Sequence, residues 1–131
     1  MSVRTSSRAH PADALGALPA AVERVARSSR EGACWTVASD DWDVNLVAWA
    51  RGHGVAAHVN EAVDVIVIGI RGRGEIELDG RPIPLRSRGI HLIPRGARRS
   101  IRAETRLLYL TCHPRRARTF SNDELLGPRT G

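Results

Sequence analysis

The chain contains no lysine and no glutamine. All 20 of its basic residues are arginine, against 14 acidic residues, for a net charge of +6. Aromatic residues make up only 4% and cysteines number two. Each scarcity excludes something. Few aromatics leave no set of stacking platforms for single-stranded nucleic acid. No helix-turn-helix or zinc-finger spacing is present either. The positive charge therefore reads as an arginine-biased composition that favours anionic partners, not as specific nucleic-acid recognition. Cys34 and Cys112 are too few and too far apart for a zinc knuckle or a disulfide framework. They are expected to be small buried hydrophobes in strands, and nothing supports a disulfide between them. No apolar run approaches the roughly 20 residues needed to span a bilayer, so no membrane partner is expected. The opening Met1-Ser-Val-Arg-Thr-Ser-Ser-Arg has no apolar core behind it, so no secretory leader is expected. The plain expectation is a cytoplasmic protein.

The length of 131 residues suits one domain with a core of its own. Hydrophobic and charged fractions of 42% and 26% are ordinary for a globular protein. Residues 1–11 are polar and expected to be disordered. Residues 12–32 form a helical segment. Pro19 fits a first helical turn, Ala21, Val22, Val25 and Ala26 make one apolar stripe, and Ser28, Ser29 and Gly32 end it. Residues 33–113 change period to two or to short apolar runs, and 114–131 read as a loosely packed tail.

Strands are expected at 34–38, 44–51, 55–60, 63–71, 75–78, 81–85, 90–93, 98–103 and 107–112. Val63–Arg71 is apolar on both faces, so something must cover each side. Asp79-Gly80 is a hairpin signal, since both residues tolerate positive φ. Pro82 and Pro84 place the strand that holds them at a sheet edge. Short strands separated by Gly and Pro predict an all-β sandwich or barrel with a short N-terminal helix.

Within Gly52–Arg99 the order of elements is specific. Gly52 leads after five residues to His58-Val-Asn60, then Asp64, Gly72 and Gly74. The hairpin follows, and then Pro94-Arg-Gly96-Ala-Arg-Arg99. This succession resembles the two motifs of the cupin superfamily, double-stranded β-helix (jelly-roll) barrels that usually hold one metal ion. The resemblance implies that fold for about two-thirds of the chain. In the family the first motif supplies two His and a Glu and the second a third His; the matching places here hold His58, Asn60, Asp64 and Arg99. The family glycines are also displaced: Gly72 comes one residue late, and Arg88-Gly89 stands for Gly-Asp.

The substitutions argue against the family's metal chemistry. An Asn amide is a poor ligand for zinc or iron, and a guanidinium has no lone pair to give. One His and one carboxylate fall short of the three protein ligands such sites want. No metal cofactor is expected. His53 lies between glycines in a turn and is expected to be exposed, and His91 and His113 are expected to be structural.

Three readings of Arg99 stand side by side. It forms a charge pair with Asp64 across the barrel, flanked by His58 and Asn60. Alternatively its planar fork binds a carboxylate or phosphate, with His58 and Asn60 orienting the ligand. Or it points into solvent beside Arg95, Arg98 and Arg102, because a register slip of one residue reverses the facing. The leading functional expectation is a barrel that binds a small, anionic molecule without a metal, its pocket lined by His58, Asn60, Asp64 and Arg99. The alternative is an enzyme: a metal-assisted oxygenase or isomerase with an atypical ligand set, or a metal-free isomerase using His58 as acid–base. A third reading is a regulatory protein that works through its basic surface. The outer face of 63–71 is covered either by the N-terminal helix or by a second subunit packed sheet against sheet, and a homodimer is expected.

Overall fold

Alternation of apolar side chains along the strands forces two sheets to close on one another. The computed structural model describes residues 17–115. The expectations for 1–11 and for the tail beyond Arg115 lie outside the described residues. Helix α1 (Leu18–Ala26) precedes strands β1 (Gly32–Ala38), β2 (Trp42–Trp49), β3 (Gly54–Val59) and β4 (Val65–Arg71). Strands β5 (Arg73–Leu78), β6 (Arg81–Arg86), β7 (Ile90–Ile93), β8 (Arg98–Ala103) and β9 (Leu107–Pro114) follow. One sheet has the order β1-β2-β9-β4-β7 and the other β3-β8-β5-β6. Every pairing is antiparallel. The chain passes back and forth between the sheets, which is the jelly-roll topology. The proline-bearing strand β6 lies at an edge, where missing N–H groups break no ladder.

The inner faces meet in a core that includes Val47, Val67, Ile76, Leu85, Ile101 and Tyr109. On the outside of the five-stranded sheet, Ala21, Val22 and Val25 of α1 pack on Leu46, Ala48 and Leu108. The helix therefore covers only one end of that face. Asp79 and Gly80 both take positive φ, 49° and 83°, as the hairpin between β5 and β6 requires.

Two departures from expectation have local causes. The strand expected to run through Asn60 stops at Val59, because Asn60 Oδ1 accepts the backbone N–H groups of Ala62 (2.8 Å) and Val63 (3.3 Å). An Asn side chain that bonds its own backbone two residues on makes a turn, not a strand. Cys34 and Cys112 are both free thiols and half-buried, less enclosed than expected.

The C-terminal end of α1 leaves backbone carbonyls without helical partners. Val25 O already accepts from Ser28 N and Oγ, and Arg106 adds a further donor there and reaches two carbonyls beyond the helix. Its Nη2 lies 3.0 Å from the carbonyl oxygen of Val25, 2.9 Å from that of Ser28 and 3.0 Å from that of Arg30. Gly72 (φ 80°) packs its bare Cα against the Arg106 carbonyl, where any Cβ would collide. One arginine thus ties the helix to the β8–β9 connection, and a glycine lets a neighbouring turn approach it. Replacing Arg106 with Met is expected to lower unfolding free energy by about 1–3 kcal/mol, measured by urea denaturation, and Arg106→Lys should recover part of the loss, because all three contacts come from one nitrogen and an ammonium carries three N–H donors.

Candidate ligand-binding site

Between the sheets lies a cavity of about 520 Å³, a size typical of small-molecule pockets. Its aliphatic wall is formed by Val47, Val55, Val65, Val67, Ile93 and Ile101 together with alanines. Its polar lining is His58 and Arg99 on the four-stranded sheet and Asn45, Tyr109, Thr111 and His113 on the five-stranded sheet.

Arg99 enters the cavity because β8 alternates. Arg99, Ile101 and Ala103 are buried while Arg98 and Arg102 are exposed. Arg99 retains only 5% of its accessible surface, so the reading that points it into solvent is overturned. His58 stands directly opposite Arg99 in the β3–β8 pairing, which places their Cβ atoms about 5 Å apart.

The expected Asp64–Arg99 charge pair is not formed. Asp64 is exposed, and its Oδ1 accepts the backbone N–H of Arg95 at 2.8 Å. Asn60 is buried but does not line the cavity; its carbonyl accepts the N–H of Gly96 at 2.8 Å. Both residues hold the turn at Pro94–Ala97. Gly96 gives that turn the positive φ (87°) that only glycine adopts without strain. The carbonyls of the turn then hold the guanidinium: Arg99 Nε donates to Ala97 O (3.0 Å) and Nη2 to Pro94 O (3.1 Å). The four residues picked out in the sequence do form one unit. Two of them, His58 and Arg99, face the cavity, and the other two brace the turn that orients Arg99.

Among the described residues no carboxylate lies within ion-pair distance of Arg99, and its Nη1 makes no hydrogen bond. Burial lowers the pKa of the guanidinium and the charge of Asp79 opposes that shift. Arginine nevertheless stays protonated, so the cavity wall carries a positive charge that no carboxylate among the described residues contacts.

His58 Nδ1 sits 3.0 Å from the carbonyl oxygen of Ala56. A carbonyl only accepts, so Nδ1 carries the proton and the neutral ring keeps its lone pair on Nε2. The family's metal position does not fit a dication. Among the described residues no three His, Cys, Asp or Glu side chains gather where they could hold one. His58 offers a single lone pair, the Asp64 carboxylate is committed to the turn, and Arg99 brings a positive charge to the same place. His53 is exposed in its turn, as expected, and its Nδ1 lies 2.7 Å from Glu31 Oε2.

Asn45, Tyr109, Thr111 and His113 were not picked out as site residues in the sequence. Alternation carries the missed signal: Asn45, Val47 and Trp49 share one face of β2, and Leu107, Tyr109, Thr111 and His113 share one face of β9. Tyr109 is nearly inaccessible, and its hydroxyl accepts a hydrogen bond from Trp49 Nε1 at 3.0 Å.

Comparison with known proteins follows from this geometry. No family model matches the sequence, and no curated protein matches it. Solved structures do. A cupin-2 domain containing protein from Shewanella frigidimarina superposes with a TM-score of 0.62 at 18% identity, over 72% of this chain and 91% of that one. KdgF from a Halomonas species gives 0.59 at 24% identity, over 65% and 79%. An RmlC-like cupin protein from Desulfovibrio desulfuricans gives 0.55 at 20%, over 60% and 77%. The chain is thus a small single-sheet-pair β-barrel of the jelly-roll class. More particularly, it has the cupin fold.

Burial pushes the Tyr109 hydroxyl up to about 12, with the Trp49 hydrogen bond acting in the other direction. The unfolded tyrosine titrates near 10. Between those values the unfolded chain has lost a proton that the folded chain keeps, so stability falls as pH rises through the window. The loss should reach about 3 kcal/mol from pH ~10 to ~12, measured by urea unfolding, and the Tyr109→Phe protein should lack that part of the slope.

Proposed function

We propose that this protein is a cupin-fold barrel that binds a small organic anion in its lumen without a metal. The single observation that carries the reading is Arg99: a guanidinium buried in an apolar cavity, held by two backbone carbonyls and unpaired with any carboxylate among the described residues. Burying a charge without a counter-charge is costly, and a ligand carboxylate or phosphate would supply the missing partner through a charge-assisted, forked contact. His58 flanks that position. The aliphatic wall would take an apolar body.

Among the described residues no carboxylate pairs with Arg99, and this limits the stability effect of removing it. Removing one member of a buried ion pair leaves the other stranded, but removing an unpaired cation strands nothing charged. The Arg99→Met protein loses a buried charge but also leaves the Ala97 and Pro94 carbonyls without that donor, so the two effects offset and it is expected to unfold within a few degrees of the parent. In isothermal titration it should lose at least tenfold in affinity for 3-phenylpropionate, while the parent should bind that carboxylate and ignore its primary amide. A marked fall in melting temperature together with unchanged carboxylate binding would remove the reading.

The same reading extends to a homodimer. Across the outer face of the five-stranded sheet, Val44, Cys112, Ile66 and Leu92 form one cross-strand row and Leu46, Leu110, Ile68 and Ile90 the next. Helix α1 covers the Leu46 end, whereas Ile90 and Leu92 remain 68% and 60% exposed. Apolar rows of this kind suit a second copy packed face to face. Sedimentation should report a dimer for the parent and a folded monomer for Leu92→Glu.

A further inference from the structure

The cavity has a second polar region that faces Arg99 and His58 from the other sheet. Thr36, Asn45 and Thr111 are consecutive cross-strand partners on β1, β2 and β9. Thr36 Oγ1 donates to Asn45 Oδ1 at 2.7 Å, and Asn45 Nδ2 reaches Thr111 Oγ1 at a looser 3.4 Å. His113 lies two residues beyond Thr111 on the same strand face and also lines the cavity. None of these residues is needed to hold an anion at Arg99.

Their hydrogen-bonding capacity is directional. His113 Nδ1 sits 2.9 Å from the carbonyl oxygen of Pro114. A carbonyl accepts only, so Nδ1 holds the proton and Nε2 is left as an acceptor. Thr111 accepts from Asn45, which leaves its own O–H proton to donate, and Asn45 Nδ2 has a second N–H. One end of the cavity therefore offers an acceptor and donors side by side. An ether or ketone oxygen could use only the donors. An ammonium could use only the acceptor and would be repelled by Arg99. A hydroxyl group donates once and accepts twice, so it uses both.

Resting on the anion reading above, we infer that the ligand is a small hydroxycarboxylic acid: a carboxylate at Arg99 and His58, an apolar body along the valine and isoleucine wall, and a hydroxyl at Asn45, Thr111 and His113. The two sheets of such a sandwich stand about 10 Å apart, so the carboxylate and the hydroxyl belong at opposite ends of the molecule and not on neighbouring carbons.

Two probes that differ by one oxygen test this: 3-(4-hydroxyphenyl)propionate and 3-phenylpropionate, titrated calorimetrically into the full chain. The parent is expected to prefer the hydroxylated probe by about tenfold, the equivalent of one satisfied hydrogen bond. Thr111→Val and His113→Phe should each narrow that gap toward unity, and Arg99→Met should weaken both probes alike. Thermal unfolding of each variant establishes that it is folded. Equal affinity of the parent for the two probes, with dependence on Arg99 retained, would overturn the hydroxyl assignment and leave the anion reading standing. Binding of neither probe would overturn both.

Discussion

Strand β8 cannot slip. Ile101 and Ala103 have to be inside, because burying an isoleucine side chain is worth about 1.5–3 kcal/mol, and a shift of one residue would turn both into solvent. Arg99 precedes Ile101 by two residues and so is carried inward with them. Hydrophobic burial therefore delivers a cation to the lumen, and the rest of the site is arranged around that fact. The turn at Pro94–Ala97 offers its carbonyls to the guanidinium, and Asn60 and Asp64 brace that turn from the β3–β4 connection.

That arrangement sets the character of the lumen within a cupin fold. Asn60 and Asp64 serve backbone hydrogen bonding, and of the four residues picked out in the sequence His58 is the one that keeps an open lone pair. The charge at the centre is a fixed guanidinium. A guanidinium attracts anions but neither coordinates a lone pair nor withdraws electrons as a dication does. Binding is the activity such a centre supports most directly.

Much of the fold was legible in the sequence. Among the described residues the nine strands, the short amphipathic helix, the Asp79-Gly80 hairpin and the edge position of the Pro82–Pro84 strand all follow from period, turn chemistry and the missing proline N–H. The site was legible in part. Arg99 and His58 could be named, but Asn60 was misplaced because an Asn at a strand end can bond its own backbone, and nothing in spacing alone announces that choice. The Asp64–Arg99 pair failed for a related reason: a carboxylate beside a tight turn finds backbone N–H groups nearer than a side chain across the barrel. Asn45, Thr111 and His113 come from strands far apart in sequence, and only pairing through β9 brings them to one wall.

The sequence by itself determined the class of fold, since alternation, glycine and proline act locally and leave few ways to bury the strands. It also determined which residue types were available to the lumen. The tertiary structure decided their roles. Whether a polar side chain meets a ligand, a turn or another side chain depends on which backbone groups are left unsatisfied nearby. That is set by strand register and sheet order, which no stretch of the chain encodes alone.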